Sequence, residues 1–303
     1  IVDWMRVRRG WEVRMEWIVP VYGVLRTMSM AVRAFSCPGE GVLLFSPGYT
    51  AYEGLITKNG RRIVRIPLHE EAGRFLPNFS MLEAQMRRAE NTMLFLCNAH
   101  NPTMQVWPQA LLEQIAAWAA AYGVFVVVDE TYVEFAPAGS SCLPLLEKYE
   151  NLVITHTFSK THNLAGARLG YCIARPGLIT DMNRVKFSYS PYNVNSMTQA
   201  AGTAAIRDEA YFHEVTAKLL ATRTAATEGL RQRGFTVFDS ATNFLFATTD
   251  RMPCKEIFEK LRAQGILIRH FNAPRISNYL RITIGTDAEM QRFFAALDEI
   301  LGA

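Results

Sequence analysis

The chain has 303 residues, 50% of them hydrophobic and 20% charged, which is the balance of a folded globular protein about two domains long and excludes disorder, collagen and repeat arrays. Thirty-two Lys and Arg against 28 Asp and Glu leave a formal charge of +4 with no basic block, so the electrostatic stripe of a nucleic-acid binder is missing. The longest apolar run, 115–128, is broken by Gly123 and falls short of the roughly 18 residues that a spanning helix needs, so no membrane partner is expected.

The opening stretch carries Asp3, Arg6, Arg8, Arg9, Glu12, Arg14 and Glu16 rather than an apolar signal core, and it starts at Ile1, so the chain is expected to begin inside a longer protein. From residue 40 onward, short β-branched runs alternate with amphipathic segments, predicting βα units stacked into a largely parallel sheet. Strands are expected at 42–46, 62–68, 92–98, 124–130, 151–157 and 168–174. Between them, 108–122 follows Pro108, places Leu111, Leu112, Ile115 and Trp118 at helical spacing and stops at Gly123, as a helix covering one sheet face would. The 124–130 strand is apolar until Asp129 and should be buried on both faces. Residues 175–232 read as helical. After Gly234 the pattern changes to strands at 235–239 and 243–248, a helix at 253–264, strands at 266–271 and 279–285, and a helix at 287–301. The expected division is a large domain over 20–225 and a smaller α/β domain made of 1–19 and 226–303.

Five scattered cysteines without a C-x-x-C pair argue against a disulfide framework or a zinc site and for a reducing cytoplasm. The six histidines show no H-x-x-x-H pairing, so no metal is expected.

In such sheets ligands sit beyond the carboxyl ends of the strands, and four predicted strand ends carry unusual polar residues. They are Asn98-Ala-His-Asn-Pro-Thr103, Asp129-Glu-Thr-Tyr132, Thr157-Phe-Ser-Lys160 and Arg168. Each alone has an ordinary reading: Asn-Pro is a turn signal, Asp129 a cap or ion-pair member, Lys160 a solvated lysine. In this order, with Arg168 eight residues after Lys160, they resemble the pyridoxal-phosphate enzymes of the aspartate aminotransferase superfamily, fold type I. The runs Val128–Phe135, Thr157–Tyr171, Pro191-Tyr-Asn193 and Asn278–Gly285 look like histidinol-phosphate aminotransferase, a likeness that runs from about residue 120 to the end. Within the first hundred or so residues, Trp11-Glu-Val, Glu16-Trp-Ile-Val and Leu96–Trp107 look more like the cystathionine β-lyase branch called MalY/PatB. The resemblance implies an α/β fold, with a large domain whose mixed, mostly parallel sheet is sandwiched by helices and a smaller C-terminal α/β domain.

The residue types suit that chemistry for stated reasons. A lysine amine forms a Schiff base with a carbonyl cofactor and, once freed by substrate, shuttles the Cα proton; the resemblance gives both roles to Lys160. Asp129 would keep the pyridine nitrogen protonated, and Tyr132 and Asn101 would hydrogen-bond the ring's phenolate oxygen. A dianionic phosphate needs helix-start N–H groups, hydroxyls and a fixed cation, for which Gly23, Val24, Leu25, Thr157, Ser159 and Arg168 stand in the matching positions. Tyr49, in Pro47-Gly-Tyr, matches the aromatic that stacks on the cofactor ring; as a core tyrosine it would look the same. Arg281 lies inside an apolar strand, where an unpaired charge is costly, so either a ligand anion or an internal ion pair must partner it. By resemblance it binds the substrate's carboxylate or phosphate. Asn243 matches an asparagine near the substrate, and Tyr192 matches a residue that reaches the partner subunit.

Two departures bear on the site. Met104 stands where the Asn-Pro motif usually ends in Gly, and Ala99 where Pro usually precedes His100, so this turn is expected to be reshaped. The family's N-terminal arm is expected to be missing, and with it the tyrosine that a neighbouring subunit gives to the phosphate. The leading expectation is a homodimeric, cytoplasmic pyridoxal 5'-phosphate transaminase of the histidinol-phosphate type, working on small-molecule amino-group donors and acceptors with glutamate and 2-oxoglutarate as the second couple. A carbon–sulfur β-lyase, a phosphothreonine-type decarboxylase, a non-catalytic sensor domain and an inactive scaffold stay open. A nicotinamide dehydrogenase is disfavoured, because no G-x-G-x-x-G follows the first strand.

Overall fold

The computed structural model describes residues 1–71 and 73–302. Helix α1 (Val2–Arg9) is followed by strand β1 (Ile18–Val21) and helix α2 (Val24–Phe35). Next come β2 (Gly41–Ser46), α3 (Ala51–Lys58), β3 (Arg62–Glu71), β4 (Arg74–Pro77), α4 (Phe79–Met86) and β5 (Asn91–Cys97). Helix α5 (Gln109–Ala121), β6 (Phe125–Asp129), β7 (Leu152–Thr157) and β8 (Gly170–Ala174) complete an eight-stranded sheet in the order β1-β8-β7-β6-β5-β2-β3-β4. Its centre, β3-β2-β5-β6-β7, is parallel, while β8 pairs antiparallel with both β7 and β1, and β4 antiparallel with β3. This is the mixed, mostly parallel sheet expected from the sequence.

Strand β6 sits mid-sheet with Val126, Val127 and Val128 all buried. Burying each such side chain is worth roughly 1.5–3 kcal/mol, which is why a continuous valine run rather than an alternating one specifies the central position. One face of the sheet packs on α2, through Met28, Ala31 and Val32, and on α3. The other face joins a larger core that continues into the C-terminal part of the chain.

The expected helical stretch resolves into α6 (Pro176–Tyr189), α7 (Ser196–Arg207) and α8 (Glu209–Gln232). The breaks fall where polar side chains start new helices: Asn195 accepts from Thr198 N and Asp208 from Tyr211 N. Beyond them, β9 (Phe235–Val237), β10 (Phe244–Thr249), α9 (Cys254–Ala263), β11 (Arg269–His270), β12 (Leu280–Thr283) and α10 (Asp287–Leu301) form an antiparallel four-stranded sheet, ordered β11-β12-β10-β9, with two helices. A capping box between Thr286 and Glu289 starts α10.

Several expectations are corrected. Strands β1 and β4, four residues each, were not predicted: both are edge strands, and β1 carries Pro20, which only an edge tolerates. Strand β8 begins at Gly170 rather than 168, because Arg168 has φ +54° and leaves the extended region. The expected strand 266–271 shrinks to two residues. Residues 1–19 were grouped with the smaller domain, yet Ile18 and Val19 pair with β8, Arg9 is 2.5 Å from Glu134, and Trp11 Nε1 donates to Glu147. Among the described residues no helix is long and apolar enough to cross a membrane.

Candidate active site

Because β2, β5, β6 and β7 are parallel, their carboxyl ends open on one edge, and the loops that follow them meet the start of α2 there. They enclose a cavity of about 280 Å³. Gly23, Val24 and Leu25 line it from α2, and Tyr49 and Asn101 from the loops after β2 and β5. Asp129 and Tyr132 follow β6; Thr157, Ser159, Lys160 and Arg168 come from the segment between β7 and β8. Arg281 reaches the same cavity from β12 in the smaller sheet. A wider cleft of about 1240 Å³ lies along α8 and α10, but its polar groups answer one another, as in Arg233 with Asp298 at 2.5 Å and Thr222 with Asp287 at 2.7 Å.

At one end of the cavity Gly23 caps α2 with φ +102° and no side-chain cap, leaving the helix-start N–H groups unanswered by any side chain of its own. A Cβ on Gly23 would lie 2.8 Å from Arg168 Nη2. The guanidinium is therefore held against a bare backbone turn, and its Nη1 donates to Ala165 O at 2.9 Å. Gly170 secures the approach from beneath, since a Cβ there would meet His156 O at 2.7 Å and Gly23 Cα at 3.5 Å. Thr157 Oγ1 donates to Ser159 Oγ at 2.9 Å. Amide N–H groups, two hydroxyls and a guanidinium around one space make an anion cradle shaped for a phosphate.

At the other end Asp129 is buried. Its Oδ1 accepts from Thr131 N at 2.9 Å and Thr131 Oγ1 at 2.6 Å, and its Oδ2 accepts from the Tyr52 hydroxyl. Burial pushes the Asp129 carboxyl above the usual carboxylate range, while the bonds from Thr131 and Tyr52 hold it down. Between the ends lies Lys160, whose amine is brought below the ordinary lysine value by desolvation first and then by Arg281 and Arg168. Burial likewise raises the Tyr132 phenol. Arg281 lies 5.0 Å above the Phe244 ring and donates from Nη1 to Asn101 Oδ1 at 3.0 Å, but its buried Nε has no hydrogen-bond partner among the described residues. No carboxylate there pairs with Lys160, Arg168 or Arg281. The internal ion pair considered for Arg281 is absent among them, and three cations face one space.

Eleven of the expected cofactor residues and Arg281 thus share a cavity. Asn243 and Tyr192 do not line it. Asn243 uses its backbone carbonyl to accept from Ile284 N, and Tyr192 is 94% exposed in the loop between α6 and α7. At the altered turn, Met104 takes a left-handed φ of +57°. Its buried side chain receives Phe246 N at Sδ, and its carbonyl receives Ala241 N, so tertiary bonding offsets the backbone cost. Tyr22, Tyr52, Cys97 and Thr131 also line the cavity and were missed. A signal existed for two: Tyr52 stands three residues after Tyr49, and Thr131 two after Asp129, where a hydroxyl readily returns to a carboxylate.

The cavity offers a phosphate cradle, a buried carboxylate, an amine of lowered basicity and an unpaired guanidinium. Such a donor set fits pyridoxal 5'-phosphate, which presents a phosphate, a pyridine nitrogen and an aldehyde.

Comparison with known proteins agrees. Residues 2–297 match the family model of aminotransferase class I and II. The chain is 40% identical over 253 residues to histidinol-phosphate aminotransferase 2 of Rhizobium meliloti (strain 1021), covering 84% of this chain and 68% of that one. It is 34% identical over 285 residues to histidinol-phosphate aminotransferase of Geotalea daltonii, covering 94% and 78%. Among solved structures, histidinol-phosphate aminotransferase from Sinorhizobium meliloti in complex with pyridoxal-5'-phosphate superposes with a TM-score of 0.87 at 26% identity, over 99% of this chain and 80% of that one. Cystalysin from Treponema denticola, which contains pyridoxal 5'-phosphate, gives 0.87 at 19% identity over 99% and 81%, a likeness of fold.

Proposed function

The chain belongs to the class I and II aminotransferase family, whose members work with pyridoxal 5'-phosphate, and from that we propose that it is a transaminase of the histidinol-phosphate type. Its amine donor would be a phosphorylated amino alcohol of the histidinol-phosphate kind, with glutamate and 2-oxoglutarate as the second couple. The observation that carries this reading is the unpaired Arg281, held over the same cavity as Lys160 and Asp129. A half-buried guanidinium without a carboxylate is costly unless a ligand anion meets it. Arg269 lies opposite Arg281 in the β11–β12 pairing and adds positive charge beside it.

Pyridoxal phosphate, when bound, supplies an aldehyde carbon for an amine and a ring that takes up the electrons of a deprotonated Cα. Gly23, Val24, Leu25, Thr157, Ser159 and Arg168 would hold its phosphate, Tyr49 would cover its ring, and Asp129 would face the ring nitrogen. Asn101 and Tyr132 would answer the ring oxygen. Lys160 Nζ, its basicity lowered by burial and two neighbouring cations, is suited to take the substrate's Cα proton and return it at neutral pH. Arg281 would orient the substrate through its carboxylate or phosphate.

The test is the visible spectrum of the purified chain with pyridoxal phosphate, before and after glutamate, beside Lys160→Ala. A band that glutamate converts in the parent and that is missing from the variant is the expected result. A band indifferent to glutamate, or retained turnover in the variant, defeats the assignment.

We also infer that the enzyme acts as a homodimer. Phe187, Tyr189, Tyr192 and Met197 are exposed around the α6–α7 loop, a cluster of apolar surface suited to a second copy. Sedimentation of the purified chain as a monomer at micromolar concentration would refute this.

A further inference from the structure

Tyr52, three residues after Tyr49, is only 4% exposed on the inner wall of the cavity. Its hydroxyl donates to Asp129 Oδ2, the oxygen that Thr131 does not reach. Its ring meets Tyr49 edge-on, with centroids 5.3 Å apart at 84°, and Phe95 likewise at 5.6 Å and 76°. One buried phenol therefore touches both the carboxylate assigned to the ring nitrogen and the aromatic assigned to the ring face. We propose that Tyr52 is a positioning residue for the cofactor, fixing the Asp129 carboxylate and the Tyr49 ring relative to each other so that the space between them is shaped before the cofactor arrives. The proposal rests on the reading of this cavity as the pyridoxal phosphate site.

The physical case starts from Asp129. A buried carboxylate stays ionised only while donors replace its lost water, and three donors do so here, two from Thr131 and one from Tyr52. Cys97, which also lines the cavity, directs its Sγ to Ala99 O at 3.3 Å rather than to Asp129. Replacing the phenol with a phenyl ring would keep the contacts with Tyr49 and Phe95 but leave Oδ2 without a protein donor. The carboxylate would then be free to turn about its Thr131 bonds and would take up a proton at higher pH. A less charged, less fixed carboxylate is a poorer partner for a ring nitrogen that must carry a proton.

The titratable groups facing Asp129 are Tyr52 from α3, Cys97 from β5, His156 from β7 and Tyr132 from its own loop. Of these, only His156 also pairs with a carboxylate other than Asp129. It stands 3.2 Å from Glu130 and is the same in every variant compared below, so it cancels.

The experiment titrates the cofactor-stripped chain with pyridoxal 5'-phosphate and reads the dissociation constant by absorbance across mildly acidic to mildly alkaline pH. It uses the parent, Tyr52→Phe, Asp129→Asn and the double variant, with denaturant unfolding of each stripped protein as a check on folding. Tyr52→Phe should bind about tenfold more weakly at neutral pH, the value of one hydrogen bond to a charged group, with the deficit growing as pH falls. In the Asp129→Asn background the same change should cost less than about twofold, because the group through which Tyr52 acts has lost its charge. Thr131→Val removes another donor without touching α3 and should weaken binding in the same direction with the same pH trend. Equal affinity for the parent and Tyr52→Phe overturns the proposal, as does an equal loss in both backgrounds, which would make Tyr52 a packing residue. A parent chain that binds no pyridoxal phosphate fails the underlying reading instead.

Discussion

Replacing Gly23 with alanine tests the anion cradle at its tightest point. Gly23 has φ +102° and ψ 158°, a region open essentially to glycine alone, so any side chain there strains the backbone by about 1–3 kcal/mol. A Cβ would also stand 2.8 Å from Arg168 Nη2, and the guanidinium must yield because the turn cannot. Arg168 is itself tied through Nη1 to Ala165 O at 2.9 Å and sits at φ +54°, so its retreat would take it away from the cradle. Two effects should therefore separate. The stripped protein should lose about 1–3 kcal/mol in denaturant unfolding, from the backbone alone. Affinity for pyridoxal 5'-phosphate should fall about 10- to 100-fold, one charge-assisted contact, while affinity for pyridoxal, which lacks the phosphate, should barely change. Gly139→Ala is the control: it too has a positive φ, but nothing lies within 4 Å of its Cβ, so stability should drop without a change in cofactor binding. Equal weakening for pyridoxal and its phosphate, or none for either, would refute the assignment of Gly23 and Arg168 to the phosphate.

Arg281→Gln should raise KM for glutamate about 100-fold, the scale for truncating one partner of a buried charge pair. It should leave stability within about 1 kcal/mol of the parent, because the guanidinium meets no carboxylate in the fold; an unchanged KM would remove Arg281 from the substrate site. Burial pushes His100 down to about 4 from the ordinary 6.5, so the folded chain holds it neutral while the unfolded chain takes up a proton. Its contribution is therefore flat above pH 6.5 and becomes a loss as pH falls towards 4, reaching about 3 kcal/mol below that value. His100→Asn should reduce the acid-side slope of unfolding free energy between those limits, and identical slopes would contradict the assignment.

Much of this architecture is legible in the residues. Parallel strands buried on both faces announce themselves as unbroken β-branched runs, as in Val126–Val128. The cavity residues nearest the strand ends were found because α/β sheets gather ligands at one edge, so spacing along the chain translated into proximity. Edge strands β1 and β4 escaped notice because four residues carry too little pattern, and their pairing depends on partners far away in sequence. Tyr52 escaped for a related reason: a tyrosine three residues after another reads as helix packing until the fold brings Asp129 from 77 positions away to its hydroxyl. Asn243 shows the converse, since motif position places it near the substrate while it does not line the cavity.

The sequence by itself determined the fold class and the family, because those follow from local periodicity and from short motifs in a fixed order. Tertiary structure alone decided that Arg281 of the smaller sheet faces Lys160 of the larger, that no carboxylate among the described residues neutralises it, and that Met104 can stand where glycine is usual. These depend on which distant groups share a low-dielectric space, where the worth of a charge or a strained angle is set by its neighbours rather than by its residue type.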